Sequence, residues 1–151
     1  MDHRLQINNS PALHPNDPER VSELIQIINE LARDGLNNRD RLLGAARALV
    51  ESLQTPQETV MQYTSDSVRL AVLVSCLKIG LFKYMTEWHN KTHKASAVAE
   101  AIGIQKSTVA RLLRYLASLR FLVESGPGEY KTTRFIMALS IPQISDACLQ
   151  E

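Results

Sequence analysis

Apolar residues recur at helical spacing in two neighbouring segments of the second half of the chain, and a glycine separates the two segments. Gly103 suits a chain reversal, because glycine adopts positive φ without a Cβ clash. Two helices joined by a few residues around a glycine predict a helix-turn-helix. The two apolar stripes are Ala95, Val98, Ala99 and Ile102, then Val109, Leu112, Leu113, Leu116 and Leu119.

The pattern changes after Arg120, where strand and turn signals replace the helical spacing. Residues 121–123 form a short β-type run, residues 126–128 read Gly-Pro-Gly, and residues 130–132 suit a return strand. A helix-turn-helix followed by a β-hairpin is a winged helix. The predicted fold class is mainly α, with a helical dimerisation region and a winged helix-turn-helix that carries a small β-hairpin wing.

The first half of the chain predicts two amphipathic helices. One begins at Pro18, capped by Asn16 or Asp17, and ends at Gly35, and the other covers residues 38–53. Their apolar stripes exceed what a small winged helix can cover, so we expect a symmetric homodimer in which these helices interleave. The alternative is that they fold back on their own core. The predicted interface residues are Val21, Leu24, Ile25, Ile28, Leu31, Leu42 and Leu49.

Two further helices are expected between the dimerisation helices and the winged helix. Thr55 and Glu58 have the spacing of a capping box, which predicts a short helix to about Tyr63. Ser65 or Asp66 would cap the next helix, residues 67–79. That segment is apolar nearly all round, which predicts a central buried helix.

These elements divide the chain into four parts: a flexible N-terminal arm (1–16), the dimerisation helices (17–64), the winged-helix core (65–139) and the start of a connecting segment (140–151), expected to begin another helix. The N-terminus lacks the apolar core of a secretory signal. The longest apolar run, residues 70–77, is shorter than the roughly 20 residues that cross a bilayer. We therefore expect a cytoplasmic protein without a membrane partner.

Charge and composition weigh against a nucleic-acid partner. The 151 residues include 17 basic and 16 acidic side chains, giving a net charge of +1, whereas a DNA-binding face should be strongly basic. The outward side of the second helix of the helix-turn-helix nevertheless carries residues that suit base edges, so a DNA-binding regulator stays an alternative. These residues are Gln105, Lys106, Thr108, Arg111, Arg114, Tyr115 and Ser118.

Little in the sequence indicates catalysis. The chain has two cysteines, Cys76 and Cys148, and so few in a chain of this size favour unpaired thiols in a reducing compartment. His89 and His93 are four residues apart, a weak metal-ligand spacing in a polar connection, and no metal site is predicted. No glycine-rich phosphate loop follows a strand.

Several segments, in order over about residues 40–139, resemble plant-type and fungal small-molecule O-methyltransferases. Residues 69–82, RLAVLVSCLKIGLF, resemble the helix and LGLF-like turn of that family, and AEAIG (99–103) with ARLLRYLAS (110–118) resembles its winged-helix core. YKTT (130–133) is similar to the strand after its wing, and ALVESLQTP (48–56) to a helix end of fungal secondary-metabolite members.

The resemblance implies the N-terminal domain of such enzymes, which dimerises by swapping helices and lines one wall of the substrate pocket. Methyl transfer in the family needs a second domain that binds S-adenosylmethionine and supplies the general base. We expect no cofactor in this chain, unless a second domain follows or a full-length partner is bound. The implied function is a dimerisation and pocket-lining domain, or a truncated relative, that forms a homodimer or a heterodimer with a full-length O-methyltransferase.

Some relatives catalyse dehydration or pericyclic cyclisation in a shaped apolar pocket, which leaves open whether this chain is an enzyme. A dimer of this chain could enclose a small apolar natural product near Met61, Tyr63 and Trp88. His89 is the candidate acid or base, since its unperturbed pKa lies near neutrality.

The sequence departs from the family at three positions. Lys94 stands where a helix-capping Thr or Ser is common, and Ile136 where a Ser often follows the wing. Arg120, with Phe121, replaces a step that usually contains glycine.

Overall fold

The structure is a computed structural model that describes residues 10–33, 35–89 and 91–149. Residues 1–9 of the predicted arm lie outside these ranges. The chain divides into two compact units, residues 1–66 (unit 1) and residues 67–151 (unit 2). The architecture is mainly α with one small antiparallel sheet, which confirms the predicted fold class.

Unit 1 is helical. Helix α2 packs on helix α3 and buries Leu24 and Leu31, which lie seven positions apart and therefore on one face of α2. The elements are α1 (Ser10–Leu13), a 3-10 turn (Pro18–Arg20), α2 (Val21–Arg33), a second 3-10 turn (Gly35–Asn38), α3 (Arg39–Leu53) and the start of α4 (Pro56–Lys78).

The predicted side-chain cap before Pro18 is not formed. Asp17 makes no side-chain capping hydrogen bond, and Pro18 opens a 3-10 turn before α2. The backbone is held instead by the end of α3: the N–H of Asn16 donates to the Gln54 carbonyl (2.9 Å) and the N–H of Asp17 to the Ser52 carbonyl (3.1 Å). Asn16, the last residue of the predicted arm, and the following Asp17 are therefore attached to the end of α3.

One continuous helix, α4, replaces the two helices predicted between residues 55 and 79. The capping box at its start is confirmed: the Thr55 N–H donates to Glu58 Oε2 (2.9 Å) and the Glu58 N–H to Thr55 Oγ1 (3.2 Å). Ser65 does not cap a new helix, because its hydroxyl donates to the Met61 carbonyl one turn back (2.8 Å). This bond satisfies the hydroxyl within the helix and removes the reason for a break.

The expectation that residues 67–79 form a central buried helix is wrong. In this part of α4 only Cys76 is fully buried, and Val68 and Leu70 are 54% and 44% exposed. Val72, Leu73 and Leu77 pack against the core of unit 2 from one side.

Unit 2 is a winged helix. The sheet order is β1-β3-β2, with His93 paired to Tyr130 and Glu124 paired to Tyr130 from the other side. The two-residue strand β1 was not predicted. The elements after α4 are α5 (Leu81–Glu87), β1 (His93–Lys94), α6 (Ala95–Ile102), α7 (Lys106–Ser118), β2 (Leu122–Gly126), β3 (Glu129–Thr132), α8 (Arg134–Leu139) and α9 (Pro142–Leu149).

The turn of the helix-turn-helix is the one the sequence predicts. Gly103 has a φ of +69° and ends α6. Its N–H donates to the Glu100 carbonyl (3.3 Å) and the N–H of Ile104 to the Ala99 carbonyl (3.1 Å). This pair of bonds is the Schellman motif, which favours glycine at its left-handed position.

The core of unit 2 fills the space between α5, α6, α7, α8 and the sheet. Ile136, one of the three predicted departures from the resembled family, is fully buried. The buried residues are Cys76, Leu81, Phe82, Met85, Ala95, Val98, Ala99, Val109, Leu113, Leu116, Leu122, Tyr130, Ile136 and Leu139. Within residues 10–33, 35–89 and 91–149, no helix has both the length and the hydropathy to cross a bilayer.

Candidate functional site

Unit 1 exposes much of its apolar surface. Val50 of α3 is 53% exposed, and Val60 of α4 is 64% exposed. Leu43, Ala46 and Val50 line an open groove of about 470 Å³ along α3. We call the exposed large side chains of this unit the unit 1 apolar surface: Leu13, Ile25, Leu43, Val50, Leu53, Val60, Met61 and Tyr63.

The predicted interface residues divide between this surface and the interior. Leu24 and Leu31 are buried within the chain, at 3% and 8% exposure, by the packing of α2 on α3. Ile25 is 45% exposed and belongs to the unit 1 apolar surface. The other four, Val21, Ile28, Leu42 and Leu49, are half-buried.

Sequence reasoning missed the exposed residues Leu43, Val50, Leu53 and Val60 as interface candidates. The available signal was the width of the apolar pattern, since α3 carries both Leu42 and Leu43, and both Leu49 and Val50. Adjacent residues lie about 100° apart on a helix, so one of each pair faces away from α2.

The three predicted pocket residues lie in three different clefts. Met61 lines an apolar cleft of about 500 Å³ with Leu13 and Val60, and Tyr63 lines a smaller polar one of about 190 Å³, both in unit 1. Trp88 is 51% exposed and lines a cleft of about 400 Å³ in unit 2. Met61 and Tyr63 thus line separate clefts of unit 1, and Trp88 lines a cleft of unit 2. Their common role in one pocket stays a prediction.

His89 and His93 have different environments and do not share a helix face. His89 follows α5, is exposed, and its Nδ1 lies 3.2 Å from the Thr86 carbonyl oxygen. His93 begins β1 and is 5% exposed. Burial lowers the pKa of His93, against the opposing effect of the Trp88 and Met85 carbonyls, so the ring is neutral near pH 7.

One residue on the outward face of α7 contacts the wing. The side chain of Tyr130 is buried, and its hydroxyl interacts with Glu124 of β2 and Arg114 of α7. Burial raises the pKa of Tyr130, the Glu124 carboxylate adds to that rise, and the Arg114 guanidinium opposes it. Arg114 and Arg111, one turn earlier, are both exposed. One of the two arginines that could read DNA therefore has a structural partner.

The cysteines and histidines form no metal centre in the described chain. Both thiols are free, which confirms the prediction of unpaired cysteines, and burial raises the pKa of Cys76 to about 12. Among the described residues no group of three or more His, Cys, Asp or Glu side chains could hold a metal ion.

The described residues do not fit S-adenosylmethionine, the cofactor that the predicted family implies. The described strands are short and antiparallel, whereas a nucleotide-type cofactor is held by a glycine-rich loop that follows a parallel strand. Gly103 and Gly128 occupy a helix end and a hairpin turn instead.

Unit 1 exposes a large apolar surface, and the winged helix that follows it has no catalytic constellation among the described residues. These two features are typical of an assembly module. The family model of the O-methyltransferase dimerisation domain matches residues 61–136. The chain belongs to this family.

Its curated relatives are fungal O-methyltransferases. O-methyltransferase lepI of Aspergillus flavus is 29% identical over 122 residues, which are 81% of this chain and 30% of the relative. O-methyltransferase apf6 of Gibberella fujikuroi is 30% identical over 114 residues, 73% of this chain and 32% of the relative. The chain thus spans about a third of the length of the curated relatives it matches.

Solved structures agree with this assignment. The structure titled "A Pericyclic Reaction enzyme" superposes with a TM-score of 0.70 at 28% identity, over 87% of this chain and 34% of that one. OxaC in complex with SAH and oxaline superposes with a TM-score of 0.69 over 83% of this chain and 33% of that one. Its 23% identity supports the shared fold alone.

Proposed function

We propose that this chain is a homodimerisation module of fungal secondary metabolism, in which two copies cover each other's unit 1 apolar surface. In this role the module also lines one wall of a small-molecule pocket, for which Met61, Tyr63 and Trp88 are the candidates. Membership of the dimerisation-domain family supports the proposal.

The observation that carries the proposal is the imbalance between buried and exposed apolar residues in unit 1. Among its described residues, Leu24 and Leu31 are the large hydrophobic side chains that are fully buried, while Val50, Val60 and Met61 are each more than half exposed. A unit of this size needs a larger buried core to be stable alone. Contact with a second copy would bury the exposed side chains and so enlarge the core. The stabilisation is roughly 25 cal/mol for each Å² of apolar surface removed from water.

Sedimentation velocity tests the proposal, with twice the mass of one chain expected for the wild type. Ile25→Asp and Val60→Asp each place a charge on the unit 1 apolar surface, where burial against a partner would leave the charge unpaired. We expect both variants to sediment as monomers. Leu24→Asp is unsuitable, because Leu24 is buried within the chain itself and the variant would unfold unit 1.

Gln26→Asp is the matched control, since it adds the same charge at the neighbouring exposed polar position of α2. It should remain dimeric. A wild-type protein that sediments as a monomer at micromolar concentration would refute the homodimer.

Membership of the O-methyltransferase dimerisation family raises two further questions: whether this chain transfers methyl groups, and whether it pairs with a full-length enzyme. We infer that the described part of this chain does not transfer methyl groups alone, because it offers no fit to S-adenosylmethionine. A heterodimer with a full-length O-methyltransferase would use the same unit 1 apolar surface. Co-expression with such an enzyme, followed by pull-down of wild type and Val60→Asp, tests this, and equal capture of both would contradict it.

The similarity to the structure titled "A Pericyclic Reaction enzyme" favours a second candidate, catalysis without a cofactor in a dimer-enclosed apolar pocket. His89 would act there as acid or base. The test compares product ratios from a reactive polyketide intermediate with wild type, His89→Ala and the control His14→Ala, which alters an exposed histidine of unit 1. Product ratios equal to those without protein would eliminate this candidate.

A further inference from the structure

Helix α3 carries four apolar residues at the spacing of a helix–helix seam. They follow one another at intervals of three, four and three residues, which is the a and d pattern of a coiled coil. Val50 and Leu53, two of the four, are each at least half exposed. We call the set the α3 seam: Leu43, Ala46, Val50 and Leu53.

An open groove of about 470 Å³ runs beside the α3 seam. Three of the seam residues line it, together with Arg47, Glu51 and Gln54 of α3 and Gln62 of α4. Helices pack by setting the side-chain ridges of one helix into the grooves of another. The groove and the seam together therefore suit a second helix with an apolar face.

The positions of the seam residues fit a second copy of α3 itself. Residues 43 and 53, and residues 46 and 50, are placed evenly about residue 48. In an antiparallel pair of helices with a two-fold axis at residue 48, Leu43 of one copy lies opposite Leu53 of the other. Ala46 then lies opposite Val50. A two-fold interface requires this kind of self-complementarity, in which residue i meets j and j meets i.

Two charged residues at the edge of the groove support the same arrangement. Arg47 and Glu51 are both exposed and lie four positions apart on one side of α3. Within the described chain they form no ion pair with each other or with another side chain. Their midpoint is residue 49, which is one residue, or about 1.5 Å of helix rise, from the midpoint of the seam. A single axis therefore also brings Arg47 of each copy beside Glu51 of the other, whereas a parallel pair would place like charges together.

We infer that α3 of one copy packs antiparallel against α3 of a second copy, with the two-fold axis near residue 48 and two Arg47–Glu51 ion pairs across it. The arrangement rests on the proposed homodimer. It adds which helix lies at the centre of the interface, how the two copies are oriented, and which charges favour a copy of the same chain. Both ion pairs form only with a partner that carries these two charges at the same spacing, so they disfavour other apolar partners.

Charge reversal tests the ion pairs. Arg47→Glu places four carboxylates at the interface of its dimer and Glu51→Arg places four guanidinium groups there, so each variant alone should dimerise at least about tenfold more weakly than the wild type. An equimolar mixture of the two variants should recover the wild-type affinity, because both ion pairs form again between unlike copies. Sedimentation velocity over a concentration series measures these affinities. Arg41→Glu is the matched control, since it makes the same charge change at an exposed position on the other side of α3.

Cysteine cross-linking tests the orientation without changing a charge. The background is Cys148→Ser, which removes the less buried of the two native thiols. A mixture of Ala46→Cys and Val50→Cys should form a disulfide-linked dimer under mild oxidation, and each variant alone should form far less of it. Parallel helices would instead link through either variant alone.

The outcomes separate this arrangement from the homodimer itself. A monomeric wild type would refute the homodimer and the α3 pairing together. A dimeric wild type whose affinity neither Arg47→Glu nor Glu51→Arg changes would overturn the α3 pairing alone. Failure of the mixed variants to recover affinity, or cross-linking through either cysteine variant alone, would also overturn it.

Discussion

Gly103 and Arg120 occupy the same left-handed backbone conformation, with φ angles of +69° and +60°. Each ends one helix of the helix-turn-helix with the same pair of hydrogen bonds. At Arg120 the bonds run from its own N–H to the Ala117 carbonyl (2.9 Å) and from the Phe121 N–H to the Leu116 carbonyl (2.9 Å). Glycine suits this conformation, whereas a residue with a Cβ is strained in it by about 1–2 kcal/mol.

The first prediction exploits this pair. Arg120→Gly should raise the free energy of unfolding by about 1 kcal/mol, because it relieves the left-handed strain. Gly103→Ala should lower it by a similar amount. A Cβ at residue 103 would meet no atom within 4 Å, so the change in stability of Gly103→Ala reports backbone strain and not a steric clash. Urea unfolding midpoints, at constant m-value, measure the stability of both variants. A loss of stability in Arg120→Gly would show that contacts of the arginine side chain outweigh the strain.

Much of the winged helix, and the capping box at the start of α4, could be predicted because their signals are local. The spacing around Gly103 depends on a single turn, and the capping box of Thr55 and Glu58 spans four residues. Phe121 was assigned to a strand, and it instead precedes β2 and packs on Phe135, with ring centres 4.4 Å apart. Such a contact is made between side chains 14 positions apart in the sequence, and no local pattern encodes it.

Helix α4 and strand β1 show where local patterns fail. Ser65 and Asp66 predict a helix start, yet the hydroxyls of Thr64 and Ser65 donate to carbonyls one turn back in a continuous helix. Strand β1 exists because His93 and Lys94 pair with β3, which nothing near them in the sequence indicates. The cleft that Trp88 lines in unit 2 depends on the same pairing, because His93 and Lys94 of β1 form part of its wall.

Thiol reactivity gives the second prediction. Cys76 is fully buried and its pKa is raised to about 12, while Cys148 is half-buried on α9. The thiolate is the reactive form, so one thiol should react with a disulfide reagent at neutral pH in the native protein and two after unfolding. Cys148→Ser should abolish the native reaction. Reaction of two thiols in the native protein would show that unit 2 opens.

The third prediction concerns pH. Burial lowers the pKa of His93 below its ordinary value of 6.5, so the unfolded chain binds the proton more readily. The stability contributed by the neutral ring is present above about pH 6.5 and is lost as the pH falls further. Urea unfolding of wild type and His93→Gln at a series of pH values tests this. The wild type should lose more stability on acidification, and equal slopes would contradict the assignment.

The capping box gives the fourth prediction. Thr55→Ala should destabilise the start of α4 by about 1 kcal/mol, since it leaves the Glu58 N–H without its acceptor. Glu58→Ala removes the reciprocal bond to the Thr55 N–H. Because the Thr55 hydroxyl also donates to Glu58 Oε2 (3.2 Å), either substitution removes this shared bond, and the double variant should lose less than the sum of the single variants. Strict additivity in urea unfolding would indicate two independent contacts.

The last prediction separates a structural from a DNA-reading role on α7. Arg114→Ala removes the guanidinium that interacts with Tyr130. Because Arg114 is exposed and water screens this contact, the free energy of unfolding should fall by only about 0.5 kcal/mol. Arg111→Ala, at an exposed position one turn earlier without this contact, should leave it essentially unchanged. Neither the wild type nor either variant should retard a DNA duplex in a gel mobility-shift assay at low salt, given the net charge of +1. A salt-sensitive complex that Arg111→Ala weakens would instead establish α7 as a recognition helix.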